Sequence, residues 1–379
     1  MKKVLYLLDT IQTGGAEKSL ALIASYFEEY EAVFVQIYKG DNTIPPNTTF
    51  ENFKIVKLNI IGKYNFNEAV KALIPIFKKE RPTIIHSALF RADIISRKMK
   101  RIFPQIPLIN SFVNNSYAKV RYEKLDFEHK VKLKLIEWYD RWTANRVDLF
   151  FSNSHTISQS NIKALKINPE KVKVVFRGRI IDDIKLQSGK KKIFLDEINL
   201  HNRNILINVS RLLDRKGQLD LINAMPGIIK KFPNSILLIV GEGNYRKRLE
   251  KAIRELNLKG YVFLLGYRKD INELLSISNV FVFPSYYEGL PGALIEAMIA
   301  GIPIVCSDIP ENKECVNEES AVFFKSGNIH DLEKKLKLIL DAPEETLVNI
   351  AAQRQAREKF DVRKIAAEYE NIYKSLYIK

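Results

Sequence analysis

Cysteine is nearly absent from this sequence: Cys306 and Cys315 are the only two in 379 residues. Two thiols in a chain of this length exclude a disulfide framework, and both are predicted to be reduced in a cytosolic compartment. Long apolar runs are absent as well. The run Val4–Leu8 is shorter than the roughly 7–15 apolar residues of a signal peptide, and nothing approaches the roughly 18 of a membrane-spanning helix. Any membrane contact is therefore predicted to be peripheral.

Metal-binding patterns are also missing. No Asp-x-Asp triplet and no P-loop pattern occurs in the sequence. The histidines lack the spacing of metal ligands; they are His86, His129, His155, His201 and His330. A bound diphosphate would then be neutralised by positive side chains and helix N-termini, so neither a metal nor another cofactor is predicted.

Acidic residues are outnumbered, with 44 Asp and Glu against 60 Lys and Arg and a formal net charge of +16. This excess favours an anionic partner such as a nucleotide, a nucleic acid or an anionic membrane surface. A general richness in lysine would explain it equally well. No module with basic residues interleaved with exposed aromatics is recognisable, so nucleic acid is not predicted as a partner. A basic nucleic-acid-binding protein remains the alternative from a different functional class.

Apolar runs alternate with helical patterns along the whole chain, which predicts parallel sheets covered by helices. The pattern loosens over 177–204 and then restarts. The fold class is therefore α/β, with two Rossmann-like domains facing across a central cleft, at 1–184 and 185–355. A terminal helix at 356–379 is predicted to pack back toward the first domain, within a helical stretch that runs over 344–377. Residues 120–146 are predicted to form one long helix.

One stretch combines an apolar strand, a glycine-rich turn and two carboxylates. Glu288 follows the run Val280–Ser285, and Glu296 lies eight residues later in a predicted helix. Between them Gly289, Leu290, Pro291 and Gly292 mark the helix start, where N–H groups are unpaired and the helix dipole is positive. This pattern predicts an anion site with a carboxylate on each side.

Three further strand ends carry candidate sites. Gly14 and Gly15 offer N–H groups to an anion or form a plain tight turn. Arg211 and Lys216 can clamp a diphosphate or lie in a solvated basic loop. The segment 241–243, Gly-Glu-Gly, lacks the third glycine of a dinucleotide fingerprint and is interpreted as a structural turn.

These segments together resemble a known family. The sequences NVSRLLDRKG and FPSYYEGLPGALIEAMIAGIPIVCSDIP, with GGAEKSL and FFSNSHTISQS in the first half, closely resemble the retaining nucleotide-sugar glycosyltransferases called family 4, which have the GT-B fold. The Glu-x7-Glu hallmark falls on Glu288 and Glu296. The resemblance implies a metal-independent retaining hexosyltransferase. It would move a sugar from a nucleotide-diphosphate sugar (UDP favoured, GDP-mannose possible) to a glycan or lipid-linked acceptor in cell-surface polysaccharide synthesis such as capsule or lipopolysaccharide.

The resemblance also implies a role for each matching residue. Glu296 would bind the donor ribose, and Glu288 would support positive charge at the anomeric carbon. Arg211 and Lys216 would hold the leaving diphosphate. Further donor contacts would come from Gly15 of the acceptor-binding N-terminal domain, from Gly289 to Gly292, and from Tyr267 or Arg268 beside the base.

The first half departs from the family pattern at two places. The segment His86-Ser87-Ala88 keeps one histidine of a usual His-x-His, so His86 is either an acceptor-side catalytic residue or a structural one. The usual Asn-Gly turn is replaced by a segment containing Arg177 and Arg179, whose contacts the sequence does not indicate.

A basic, amphipathic segment lies in the predicted long helix. It contains an apolar stripe at helical spacing, made of Val131, Leu135, Trp138, Tyr139 and Trp142. Residues 97–146 contain 12 Lys and Arg but only 5 Asp and Glu. Such a helix either rests on an anionic membrane surface or packs on the first sheet.

Within enzymes, the alternative to a transferase is a GT-B-like sugar-nucleotide epimerase or phosphorylase, and no pyridoxal lysine site for the latter is identifiable.

Overall fold

The structure is a computed structural model that describes residues 1–11, 15–40, 48–62, 64–123, 125–181, 203–342 and 349–377. The chain divides into two compact units. The first unit contains Met1–Arg179 and Asp361–Lys379, and the second contains Ile180–Phe360. The predicted domain boundaries after residues 184 and 355 each lie five residues from the points where the chain passes from one unit to the other. The predicted linker falls mostly outside the described residues.

The first unit contains a seven-stranded parallel sheet in the order β3-β2-β1-β4-β5-β6-β7. Its strands are β1 (Lys2–Leu8), β2 (Tyr30–Tyr38), β3 (Lys54–Ile60), β4 (Ile84–Ala88), β5 (Leu108–Phe112), β6 (Leu149–Ser152) and β7 (Val172–Val174). In the register, Val4 of β1 lies opposite Ala32 of β2 and Ile84 of β4. The central strands β1, β4 and β5 are buried over most or all of their length because helices cover both faces of the sheet. The strand order reverses at β1, where open parallel sheets bind ligands beyond the carboxyl ends of their strands.

Before the chain passes to the second unit, the described residues of the first unit form six α-helices. They are α1 (Gly15–Ala24), α2 (Phe66–Glu80), α3 (Phe90–Ile102), α4 (Lys119–Glu123), α5 (Phe127–Ala144) and α6 (His155–Leu165). The prediction of a single helix over 120–146 is wrong, because the helical conformation is interrupted between α4 and α5. Asp126 caps α5 there, its carboxylate accepting the His129 N–H at 2.9 Å. This bond satisfies a first-turn donor, so the helix starts afresh at this point.

The second unit contains a six-stranded parallel sheet in the order β10-β9-β8-β11-β12-β13. Its strands are β8 (Asn204–Val209), β9 (Ser235–Val240), β10 (Val262–Gly266), β11 (Val280–Phe283), β12 (Ile304–Ser307) and β13 (Val322–Phe324). Its helices are α7 (Gln218–Lys231), α8 (Arg246–Glu255), α9 (Ile271–Ile277), α10 (Gly292–Ala300), α11 (Pro310–Cys315), α12 (Ile329–Leu340) and α13 (Ile350–Phe360). The order reverses at β8, so the loops that follow β8 and β11 lie side by side at the ligand-binding edge.

The last helix, α14 (Val362–Ser375), returns to the first unit. Tyr369 and Tyr373 of α14 belong to that unit's aromatic core. The Glu370 carboxylate accepts the backbone N–H groups of Glu28, Glu29 and Tyr30 at 3.0, 2.7 and 3.1 Å. The helical stretch predicted over 344–377 is interrupted before Val362, so its continuity was wrong. Among the described helices, none is long and apolar enough to cross a membrane.

Candidate active site

The two predicted carboxylates flank the start of α10 in the second unit. Glu288 lies in the loop after β11 and is buried, whereas Glu296 lies in the second turn of α10 and is half-buried. Pro291 occupies the N-cap position, and no side chain caps the helix. The first-turn N–H groups, including that of Gly292, are therefore available to an anion at the positive end of the helix dipole.

Glu288 forms a buried ion pair with Lys216. The Lys216 ammonium bonds one oxygen of the carboxylate, and the side chains are 10% and 6% exposed. The other oxygen accepts from Arg215 Nη1 at 3.3 Å. Arg215 also donates to the Tyr287 carbonyl at 2.9 Å, which fixes its guanidinium beside the carboxylate. One largely buried carboxylate thus contacts two cations.

The charges of this group are set by burial and by each other. Burial acts to raise the pKa of Glu288, but the cations of Lys216 and Arg215 outweigh it and hold that pKa below its usual range. Burial lowers the pKa of Lys216, and the nearby Arg215 and Arg211 add to this against the attraction of Glu288. At neutral pH, Glu288 is therefore a carboxylate with basic neighbours in excess.

The loop that carries the cations is tied to the loop that carries Glu288. Gly217 ends a short turn at φ +68°, and a Cβ added there would meet the Pro284 carbonyl oxygen at 2.0 Å. The Tyr286 N–H donates to the Arg215 carbonyl at 2.9 Å, and the Tyr286 hydroxyl donates to Asp220 at 2.8 Å. Glycine is required at 217 because both the left-handed backbone and the close approach exclude a side chain.

Arg211 lies next to this pair at the end of β8 and is exposed. Its guanidinium forms no hydrogen bond or ion pair with the described residues. Its charge acts on Lys216 through space and helps to lower the pKa of that lysine. Its carbonyl accepts from Gln218 Nε2 at 3.0 Å, and the next N–H, that of Leu212, donates to the Glu242 carbonyl at 3.0 Å. The segment 241–243 therefore supports the loop that presents Arg211, as a structural turn would.

Tyr267 and Arg268 follow β10, at the same edge of the sheet. Tyr267 is exposed. The Arg268 guanidinium forms a two-point pair with Asp270, with Nε donating at 2.8 Å. This bond raises the pKa of Arg268, so its charge is held in place by Asp270.

The predicted residues of the first unit are arranged differently. Gly14 lies outside the described residues. Gly15 begins α1, and a Cβ added to it would lie 3.5 Å from Arg177 Nη1. A positive guanidinium therefore sits at the N-terminus of α1. The neighbouring Arg179 instead donates to the Ser19 hydroxyl at 3.1 Å.

His86 lies fully inside the core of the first unit. Its Nδ1 is 2.7 Å from the Tyr373 hydroxyl, and its Nε2 is 2.7 Å from the Ser111 hydroxyl. The ring stacks on Tyr6 at 4.9 Å, and burial lowers the pKa of His86 to about 3. With both nitrogens bonded and no exposed atom, the geometry contradicts the catalytic role predicted for His86 and supports the structural alternative.

A cavity of the first unit lies between α1 and the carboxyl ends of β5 and β6. Its walls are mostly apolar, and its polar lining comes from Ser19, Ser111, Asn153 and Arg177. With the Asn153 amide oriented so that its oxygen faces Arg177, that oxygen accepts a hydrogen bond from Arg177 Nε at 3.1 Å. Arg177, which the sequence left without a role, thus places a positive charge in the lining of this small cavity.

Sequence reasoning brought together Glu288, Glu296, Arg211 and Lys216; Arg211, Lys216 and Glu288 lie on neighbouring loops, and Glu296 lies in α10 just after the Glu288 loop. It missed Arg215, which contacts Glu288 directly. The only signal was its position beside Lys216 in a run of two cations. No cluster of three metal-ligating side chains occurs in the part of the chain that the structure describes.

Two family descriptions match the chain in succession. Residues 13–182 match "Glycosyltransferase Family 4", and residues 190–357 match "Glycosyl transferases group 1". Together these matches span both units and include every described site residue.

Similar proteins are found among curated sequences and solved structures. An uncharacterised glycosyltransferase of Methanocaldococcus jannaschii is 35% identical over 158 residues, covering 40% of this chain and 37% of that protein. The match thus spans little more than a third of that relative's length. A UDP-Gal:alpha-D-GlcNAc-diphosphoundecaprenol alpha-1,3-galactosyltransferase of Escherichia coli is 26% identical, covering 82% of this chain and 79% of that protein. The crystal structure of Anabaena HepE in complex with UDP superposes with a TM-score of 0.84 at 22% identity, covering 99% of this chain and 100% of that one.

Proposed function

This chain belongs to the GT-B glycosyltransferases of the group 1 and family 4 type, and we propose that it transfers a hexose from a UDP-sugar to a hydroxyl of a lipid-linked or polysaccharide acceptor with retention of anomeric configuration. One observation carries the proposal: the buried Glu288 carboxylate is bound to Lys216 and Arg215 beside the uncapped start of α10. HepE has been solved with UDP and with UDP-glucose, which supports a UDP-sugar as donor. GDP-mannose is the competing donor.

The proposed chemistry needs charges of both signs close together. As the bond between the anomeric carbon and the phosphate oxygen breaks, the sugar becomes cationic and the leaving diphosphate gains negative charge. Glu288 supports the cation, while Arg211 and Lys216 receive the diphosphate. Lys216 has three N–H donors and can keep Glu288 while it binds phosphate. Arg215 holds the Glu288 oxygen from the other side.

Retention is proposed to proceed by front-face attack. The acceptor hydroxyl oxygen forms the new bond to the anomeric carbon on the face that the diphosphate leaves. Its proton passes to the departing phosphate oxygen. Glu288 bonded to two cations is a poor nucleophile, because its lone pairs are engaged and its pKa is lowered. This supports a stabilising role over a covalent one.

Donor recognition is proposed to use the second unit. Glu296 would accept the ribose hydroxyls, and the N–H groups from Gly289 to Gly292 would contact sugar or phosphate. Tyr267, which is exposed at the end of β10, would lie beside the base. Arg268 is proposed to order this loop through Asp270 rather than to bind the base, since Asp270 holds its Nε and Nη2.

The acceptor is proposed to bind the first unit where the Arg177 guanidinium lies beside Gly15. The Escherichia coli relative is named for a diphosphoundecaprenol-linked acceptor, which combines a diphosphate, a sugar and an apolar chain. Arg177 at the start of α1 would bind the phosphate of such an acceptor, with Gly15 offering a backbone N–H.

The purified protein tests the proposal with a panel of UDP- and GDP-sugars, scored by thermal shift and by release of the nucleotide diphosphate. A UDP-sugar should stabilise the wild type but not the Lys216→Ala variant. Lys247→Ala, at an exposed position of the second unit, is the matched control. Transfer with an unchanged anomeric configuration should be visible by NMR, and EDTA should leave the rate unchanged. Stabilisation by no nucleotide sugar, or an inverted product, would contradict the proposal.

A further inference from the structure

Helix α5 presents a continuous apolar face to solvent. We call this face the apolar strip and define it by five residues: Phe127, Val131, Leu135, Trp138 and Trp142. Their exposed fractions are 82, 44, 64, 64 and 56%. At 100° per residue they share an arc of about 80° on the helix. The two indole rings lie parallel, with centroids 6.5 Å apart, so the strip ends in a pair of neighbouring aromatic side chains.

The orientation of α5 is fixed from its other side. Leu133, Asp140 and Ala144 are buried against the first unit, on the arc opposite the strip. Arg97, itself almost fully buried, donates to the Asp140 carboxylate at 2.5 Å and to the Thr143 hydroxyl at 2.8 Å. The strip therefore cannot turn inward, and the alternative that it packs on the first sheet is wrong.

Positive side chains border one edge of the strip, where Lys130, Lys134 and Arg141 follow one another and Lys134 also pairs with Glu137 at 2.9 Å. On the other edge the exposed Glu128 comes first, and Lys132 lies beyond it. Arg146, just past the C-terminus of α5, stacks on the Trp142 ring at 5.1 Å. An apolar centre with a basic rim is complementary to a surface that is apolar inside and negatively charged at its edge.

We infer that the apolar strip and its basic rim dock on the surface of an anionic phospholipid bilayer, with α5 lying in the plane of the interface. Tryptophan favours the boundary between headgroups and acyl chains, where its ring is buried and its N–H stays hydrated. Lysine and arginine at the rim reach the lipid phosphates while their stems lie along the apolar face. The inference concerns this surface alone and holds whatever donor or acceptor the enzyme uses.

The sequence makes this surface easy to observe. Trp138 and Trp142 are the two tryptophans of the chain, so the intrinsic indole emission reports the strip alone. Vesicles of phosphatidylglycerol and phosphatidylcholine should shift this emission to the blue, and brominated acyl chains should quench it. Vesicles of phosphatidylcholine alone should do so much less, because the basic rim gains nothing from a neutral surface.

Two pairs of variants separate the apolar and the charged contributions. Trp138→Ser with Leu135→Ser should lower the fraction that floats with anionic vesicles by more than about tenfold. Lys130→Glu with Arg141→Glu should do the same and should remove the difference between the two vesicle types. The matched controls lie in the second unit, where Leu338→Ser with Ile350→Ser, and Lys247→Glu with Lys259→Glu, should float as the wild type does.

Several outcomes would overturn the inference. Emission that anionic vesicles leave unchanged would do so, as would a loss of flotation in the control pairs as large as in the strip variants. Sedimentation of the protein as a dimer that the Trp138 and Leu135 changes convert to a monomer would assign the strip to a second copy of the chain instead. Circular dichroism and the melting temperature of each variant confirm that the fold is kept.

Discussion

Replacing Glu288 by Gln removes one negative charge from a site that holds two cations, without changing its shape. Lys216 is 10% exposed and would lose its counter-ion. Breaking a buried ion pair from one side costs about 3–5 kcal/mol, and the retained amide oxygen favours the lower end. For a domain of roughly 150–250 residues, a loss of about 3 kcal/mol lowers the melting temperature by roughly 6–12 °C.

The same substitution should lower kcat strongly, whereas the folded fraction at the assay temperature should change little. Losing a preorganised charge that acts on the transition state costs about 10²–10³ in rate. The stability deficit should shrink as the pH rises toward 10. Burial already depresses the pKa of Lys216, and without Glu288 it falls further, so the unfolded state binds more protons than the folded one and stability increases with pH.

A double variant separates folding from catalysis. Lys216→Met combined with Glu288→Gln removes both charges, so the melting temperature should return to within a few degrees of the wild type, while turnover stays low. Glu296→Gln is the comparison within the site and should raise the donor KM about tenfold with kcat nearly unchanged. The reasoning fails if Glu288→Gln turns over like the wild type, or if the double variant recovers activity together with stability.

Three further outcomes are expected. Arg211→Ala should raise the donor KM, as measured by initial rates. Its melting temperature should change little, because the side chain is exposed. Gly217→Ala should lower the unfolding free energy by more than about 2 kcal/mol in denaturant titration, since its Cβ would overlap the Pro284 carbonyl, whereas Gly260→Ala, with a similar φ but no atom within 4 Å, should cost less. Burial raises the pKa of Asp93 to about 7 despite the nearby Arg97, so the folded state keeps a proton that the unfolded state loses near pH 4. The unfolding free energy of the wild type, relative to Asp93→Asn, should therefore fall between about pH 4 and 7.

The parallel sheets were predictable because each central strand is an apolar run followed by a helical period. Short elements were not: β13, α9 and α11 hold three, seven and six residues, too few for a periodicity to emerge. The break before α5 was missed because the apolar spacing continues across it. A new helix starts there because one carboxylate, that of Asp126, caps the first turn of α5, and a cap is a local bond rather than a pattern.

The candidate site was predicted as far as its residues adjoin strand ends in a recognisable motif. Arg215 was missed because nothing in the sequence says that both adjacent cations contact Glu288; the turn that ends at Gly217 brings them both there. His86 was given a catalytic alternative because a histidine at a strand end is a common site residue. Its burial depends on Tyr373, which lies 287 positions away, and no local pattern contains that contact.

The first unit is interrupted in the sequence, with its last helix encoded after the whole of the second unit. Synthesis on a ribosome runs from the N-terminus, so the second unit is complete before α14 emerges. Until then Tyr6 lacks the hydroxyl partner it finds in Tyr373, 2.7 Å away, and the backbone N–H groups of residues 28–30 lack the Glu370 carboxylate. A nascent chain stalled at Phe360 would carry a finished second half and an unfinished first half. The sheet of the first unit is thus completed only after the second unit has been synthesised, when α14 packs against it.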